Sequence, residues 1–257
     1  MRKILFTILT SIVVTLSGIG SSFAQDDSGV PDLTPIELQL CNYRDGQDRA
    51  DYDKAVGKMQ QWMDDNDAEP YAAWRLQSFF TGARTGFDFI YLGAWASGTS
   101  MGKDIAQYRA TAGDAIAAAE KAAECANSQM YTSLNVKESD GDGTGNFVLT
   151  VTDCTVADGR TTGDAIDALV EWGQYRDANG SPGGMWIWFP SYGDGDAEFN
   201  FKLASSYSSM EEFGNYFQWN RDMQGYLKRN ELFGGLLDCN VARAYTGDTL
   251  VNTLTTE

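Results

Sequence analysis

Cys41-Asn42-Tyr43-Arg44-Asp45-Gly46 and, in the other half of the chain, Cys154-Thr155-Val156-Ala157-Asp158-Gly159 repeat one phrase: a cysteine followed by an Asp-Gly turn. Each phrase is closed by a second cysteine, Cys125 or Cys239. After five intervening residues stands Tyr131-Thr132 in the first case and Tyr245-Thr246 in the second. Trp62 matches Trp172, and Pro70-x-x-x-Trp74 matches Pro182-x-x-x-Trp186. Asp88-Phe89-Ile90-Tyr91 matches Glu198-Phe199-Asn200-Phe201, and Met101 matches Met210. The order is kept throughout, so the chain reads as two copies of one unit.

Outside the copies, Met1-Arg2-Lys3 followed by an apolar run and by Ser22-Phe23-Ala24 reads as a secretory signal over residues 1–24, cut after Ala24. The run is too short for a membrane span. Gln25 to Pro35 is expected to be a mobile mature terminus, and the protein to be exported, periplasmic or secreted. In an oxidising compartment four cysteines favour two disulfides, with three pairings open. The duplication selects Cys41–Cys125 and Cys154–Cys239, the only pairs that recur within each copy. The formal charge is -17, or -19 without Arg2 and Lys3. Such acidity argues against nucleic acid and anionic membranes as partners. The chain has no histidine, which removes Ser-His-Asp and Cys-His nucleophiles, proximal-histidine haem ligation and most zinc sites. No nucleotide-binding or nucleophile-elbow motif is present, and no cofactor is assigned.

Along the first copy, Ile36 to Cys41 alternates as a strand with two faces. Tyr52, Val56, Met59, Trp62 and Met63 recur at helical spacing from Arg49 to Asn66. Strands follow at Ala72 to Phe80 and Phe87 to Trp95, then one long helix to about Glu124, then a strand over Gln129 to Lys137. Residues 36–138 thus form β-α-β-β-α-β. After a Gly/Asp linker at 139–146, residues 147–251 repeat that order. Ser209-x-x-Glu212 reads as a capping box, and the helix it opens is expected to break near Gly225. Asn240 to Thr246 is the closing strand, and the last residues read as a tail.

This order resembles the ferredoxin-like fold, and two copies in one chain resemble the dimeric α/β barrel superfamily. The resemblance implies an α+β fold: two ferredoxin-like β-α-β-β-α-β repeats whose antiparallel sheets pack face to face as a pseudo-dimeric α/β barrel, in a monomer with pseudo-twofold symmetry. It also implies that the first and last strands of each repeat are antiparallel neighbours, which brings the same cysteine pairs within disulfide range.

The cavity between such sheets is the expected site. Glu37, Gln39, Arg75 and Gln77, with Thr150, Thr152, Asn200 and Lys202, are assigned to it from the alternation. The bland alternative is an internal hydrogen-bonded interface with Arg75 and Glu37 paired. Trp95 and Trp219 lack a partner in the other copy and join the candidates. Asp140 and Asp142, like Asp194 and Asp196, stand in Asp-Gly loops that hint at calcium without the full loop pattern. Three readings follow: a noncatalytic exported protein binding a small ligand or partner through the cavity; a cofactor-independent oxygenase or isomerase; and a structural or surface assembly protein, which a filled barrel would favour. An enzyme should carry a carboxylate or tyrosine with a strongly shifted pKa.

Overall fold

The computed structural model describes residues 33–82, 86–139, 141, 144–193, 195 and 197–254. The signal segment, most of the mature terminus, and Asp140, Asp142, Asp194 and Asp196 lie outside the described residues. The first half runs β1 (Leu33–Tyr43), α1 (Arg49–Asp65), β2 (Tyr71–Phe80), β3 (Phe89–Trp95), α2 (Gly98–Thr111), α3 (Gly113–Ala122) and β4 (Ala123–Lys137). The second runs β5 (Asn146–Val156), α4 (Thr162–Ala178), β6 (Gly184–Tyr192), β7 (Phe201–Tyr207), α5 (Met210–Asp222), α6 (Gly225–Phe233), β8 (Leu237–Cys239) and β9 (Arg243–Asn252).

The turns and caps follow local chemistry. Gly46 adopts φ +74° in the first Asp-Gly turn, and Asp48 then caps α1 by accepting from the Ala50 and Asp51 amides. Ser209 caps α5 by accepting from Glu212, but the Glu212 carboxylate takes the Ser208 amide, so the expected box is completed one residue early. The helix expected to run to Glu124 breaks at Ala112, ahead of Gly113, and β4 already begins at Ala123. The break near Gly225 is present: Gln224 is left-handed at φ +52° and α6 restarts beyond it.

Every strand pairing is antiparallel, and the strands close into one ring in the order β7-β6-β4-β1-β3-β2-β9-β5, with β5 returning to β7 and β8 extending the β5 edge. Within each half the order is the same permutation, β4-β1-β3-β2 and β9-β5-β7-β6. The halves are therefore stitched edge to edge, by β2–β9 and β4–β6, into a closed eight-stranded barrel. The closing strand runs well past the expected end at Thr246: Leu250 and Val251 are buried against the first half's helices. Cys41 stands opposite Cys125 and Cys154 opposite Cys239 in register, and both bridges are formed.

The six helices among the described residues cover the outside. One core lies between the first half's strands and α1 to α3, around Tyr52, Trp62, Phe89, Tyr91 and Trp95. Another lies under α4 to α6, around Leu169, Trp172, Ile187 and Trp219. The lumen is a third, made by strand residues alone: Ile36, Leu38, Leu76, Ile90, Leu92, Tyr131, Leu149, Val151, Trp188, Ala204 and Tyr245, with Trp74 and Trp186 against them. Each large apolar side chain so buried contributes about 1.5–3 kcal/mol.

This reverses the faces assigned from alternation. Ile36, Leu38 and Leu40 fill the barrel, while Glu37, Gln39, Arg75 and Gln77 point outward beneath the helices. The lumen is lined by packed apolar side chains rather than by the polar residues expected there. Two shallow grooves, of about 370 and 350 Å³, lie elsewhere, one between α1 and α3 and one at the β2–β9 seam.

The register also corrects two of the matched pairs. The Asp88 amide donates to the Cys41 carbonyl and the Asn200 amide to that of Cys154. The Asp88 side chain accepts from Tyr43 N at 2.9 Å, and that of Asn200 from Val156 N at 2.7 Å. Asp88-Phe89 is thus equivalent to Asn200-Phe201, two residues from the match on acid-aromatic spelling. Likewise Ser97 and Ser209 are equivalent caps, which sets Met101 opposite Phe213 rather than Met210.

Candidate functional site

On the outer face of the first half, β1, β2 and β3 bring together a carboxylate and two phenols. The Tyr71 hydroxyl donates to Glu37 Oε1 at 2.7 Å and lies 2.8 Å from the Tyr91 hydroxyl. Gln39 Nε2 donates to Glu37 Oε2 at 2.9 Å. Tyr71 and Tyr91 are buried, and either hydroxyl can donate within the phenol pair. Space for this contact is made by Gly93, which stands opposite both Glu37 and Ala73. A Cβ there would overlap the Tyr71 hydroxyl and lie 2.8 Å from Glu37 Oε1.

Above it, α2 presents Ser100 and Asp104, one helical turn apart and both buried. Asp104 Oδ2 accepts from Trp95 Nε1 at 2.8 Å, and Ser100 Oγ has no partner among the described residues. Neither Glu37 nor Asp104 forms an ion pair among the described residues. Burial pushes the Glu37 carboxyl above the usual carboxylate range, against the Tyr71 and Gln39 hydrogen bonds and with help from the Asp104 charge. Burial raises Asp104 too, opposed by the Trp95 bond. Tyr71 and Tyr91 are held well above ordinary phenols by burial first and the Glu37 charge second. Two acids that resist ionisation thus share one layer with phenols that resist it still more.

The second half does not repeat this. By register Thr150 takes the place of Glu37, Gly183 that of Tyr71, Leu203 that of Tyr91 and Ser205 that of Gly93. Thr150 Oγ1 donates to the Ser205 carbonyl at 3.4 Å. Changing Gly93 to alanine is expected to separate Tyr71 from Glu37 while leaving the strands paired. Amide exchange should stay protected in β3, while the Tyr71 ring resonances move; unmoved resonances would rule the cradle out.

The remaining candidates disperse. Arg75 does not meet Glu37: it is 1% exposed and pairs with Asp248 at 2.6 Å and Asp53 at 2.6 Å. Gln77 lines the groove at the β2–β9 seam. Thr152 donates to the Asn240 carbonyl, and Asn200 fixes Val156. Trp219 donates to the Asn179 carbonyl within an aromatic cluster with Trp172, Tyr175 and Tyr216. Lys202 alone faces the lumen, at one mouth, 2.7 Å from Asp153. Trp95 and Glu37 do come together with Tyr71, whose ring centroid lies 4.9 Å from that of Trp95. Tyr71, Tyr91, Gly93 and Asp104 escaped the sequence reading because they spell ordinary core.

The closed antiparallel ring with helices outside is the dimeric α/β barrel fold, with both halves in one polypeptide. A proposed monooxygenase from Lactobacillus acidophilus NCFM superposes with a TM-score of 0.55 at 14% identity, over 87% of this chain and 97% of that one. A second proposed monooxygenase, from Fusobacterium nucleatum, gives 0.51 at 10% identity, over 86% and 95%. A mutant chlorite dismutase from Candidatus Nitrospira defluvii gives 0.51 at 8%, over 84% and 92%. No protein-family model and no curated protein sequence matches the chain.

The donor set of this chain does not suit haem ligation through an imidazole or a thiolate. The chain has no imidazole, and its four cysteines are bridged. The described residues contain no group of three or more acidic, histidine or cysteine side chains able to hold a metal. None of the described helices is long and apolar enough to cross a membrane.

Proposed function

We propose that this chain is an exported enzyme of the cofactor-independent oxygenase or isomerase type, built from two ferredoxin-like repeats at about residues 36–138 and 147–251, with Glu37 as its proton-transfer group. Bridges within each half support export. One observation carries the catalytic part: the first half alone holds a buried carboxyl without a cation among the described residues, hydrogen-bonded to a phenol pair, in space cleared by a glycine. A carboxyl whose proton is held above the ordinary range is suited to general acid–base work.

The chemistry needs a substrate with an acidic C–H or O–H. Ionised Glu37 takes the proton, and the hydrogen bond from Tyr71, backed by Tyr91, steadies the carboxylate. Returning the proton to another carbon of the resulting enolate isomerises the substrate. If dioxygen accepts the electrons instead, a CH₂ group becomes C=O, with one oxygen atom kept and the other leaving as water.

Glu37→Gln is expected to lower turnover about 10²–10⁴-fold. Wild-type kcat/KM should rise with pH through a midpoint above the ordinary glutamate value. Stability should move the other way. The folded state keeps the Glu37 proton longer than the unfolded chain, so the wild type loses stability as pH rises from the unfolded value through the folded one. Glu37→Gln lacks that loss and should be the more stable protein at neutral pH. Oxygen uptake and solvent-deuterium exchange, run over phenols and 1,3-dicarbonyl compounds, test this. Absence of both in the wild type, or equal rates in the variant, overturns it.

The apolar packing of the barrel interior favours one second reading, a surface assembly protein. Sedimentation at increasing concentration separates the two, since an assembly protein would self-associate without regard to Glu37.

A further inference from the structure

A second polar cluster, unconnected with Glu37, closes one mouth of the barrel. Lys202 pairs in register with Asp153 and with Trp188, and Arg243 with Val151. Their side chains converge on one carboxylate: Lys202 Nζ lies 2.7 Å from Asp153 Oδ1 and Arg243 Nη2 2.6 Å from Oδ2. Asn240 Nδ2 donates to Oδ2 as well, at 3.2 Å. Two cations thus share one acid, in a chain whose total charge is -17. Burial works against the charge on Asp153, but the two cations outweigh it and hold its pKa below the usual carboxylate range.

The cations are not spent. Lys202, 12% exposed on its side chain, lies 3.9 Å from the Phe199 ring centroid and 5.6 Å from that of Tyr131. The Arg243 side chain is 34% exposed, and its Nε has no partner among the described residues. Strand ends at the same mouth carry exposed rings: Phe80, opposite Ala244 beside Arg243, is 63% exposed, and Tyr192, opposite Met130, is 74% exposed. Val241 is exposed between Asn240 and Arg243. Exposed rings on the strand ends beside two cations that share one carboxylate form an amphiphilic patch.

We infer that this mouth binds a small amphiphilic carboxylate: its head group on Arg243 and Lys202, in exchange for part of their bond to Asp153, and its apolar body across Phe80 and Tyr192. A planar guanidinium matches a carboxylate edge on, and the rings supply the apolar contact that a bare anion would leave unused.

Calorimetric titration with decanoate, at low salt and without reductant, tests this against 1-decanol and decylammonium. Decanoate should bind and the other two should not. Lys202→Gln and Arg243→Gln should each weaken binding about tenfold, the scale of one lost charge-assisted hydrogen bond. Asp153→Asn is the deciding variant. It removes the competing acid, so it should tighten binding, whereas a purely structural cluster would bind nothing more tightly on losing its anion. Glu37→Gln should leave the affinity unchanged. Equal binding of decanol, no decanoate binding at millimolar concentration, or weaker binding in Asp153→Asn would overturn the inference. So would capture of acidic peptides in place of decanoate.

Discussion

Replacing Arg75 with alanine is expected to cost about 3 kcal/mol of unfolding free energy, the low end of the range for a buried ion pair that loses one member, because Asp248 and Asp53 keep 19% and 48% of their side chains exposed. Arg75 is the most deeply enclosed charge at the β2–β9 seam. It holds Asp248 on the partner strand through Nε and Nη2, at 3.2 and 2.6 Å, and Asp53 on α1 through Nη1. Arg49 adds a second cation to Asp248 at 3.1 Å. The clamp therefore joins the first half, through Arg75, Asp53 and Arg49, to the second, through Asp248. Removing the guanidinium leaves Asp248 next to Asp53 with only half-exposed Arg49 for company. The matching position of the other seam is apolar: Ile187 takes the place of Arg75 and stands opposite Leu134. Arg75→Ile combined with Asp53→Ala and Asp248→Leu copies that seam and should recover most of the loss, because whole buried ion networks exchange for apolar ones at little cost. Urea unfolding of the single and triple variants checks both claims. A single-variant loss below about 1 kcal/mol, or a triple variant no better than the single, would show that the clamp is not what holds this seam.

Removing the second bridge, by Cys154→Ala with Cys239→Ala, is expected to cost up to about 4 kcal/mol on the chain-entropy account, since the cysteines are 85 residues apart. The first bridge spans 84 residues and should cost about as much. The local consequences should differ. Cys125 lies within the long β1–β4 ladder, which continues on both sides of the bridge. Cys239 lies in β8, a three-residue strand paired only with β5. Loss of the second bridge should therefore raise amide exchange through β8 and α6, and loss of the first should leave its ladder protected. Equal loosening around both sites would count against this picture.

The sequence carried the architecture because duplication writes element order twice, and because the cysteines mark where first and last strands meet. Alternation in Ile36 to Cys41 declared two faces without saying which was the lumen. In a barrel sheathed by helices both faces are buried, so Ile36 and Leu38 fit either side. Polar Glu37 and Arg75 suggested a wet interior, yet each is satisfied beneath a helix, by Tyr71 and Gln39 or by Asp248 and Asp53. The slip that set Asp88 against Glu198 came from matching letters where the equivalence is a hydrogen bond, which Asn200 makes as well as Asp88. The closing strand is expected to stop at Thr246, ahead of Gly247 and Asp248, yet β9 continues to Asn252. Gly247 is instead a close approach: a Cβ there would run into the Phe147 ring.

The β2–β9 pairing also dictates an order of assembly. Strand β2 meets its outer neighbour only when β9, some 170 residues later in synthesis, has arrived. Until then the nascent first half presents an open β2 edge to whatever passes. A polypeptide threaded across a membrane in the amino-to-carboxyl direction would therefore complete its cylinder only after translocation of β9, which makes late delivery of residues 243–252 the step that a holding chaperone would need to cover.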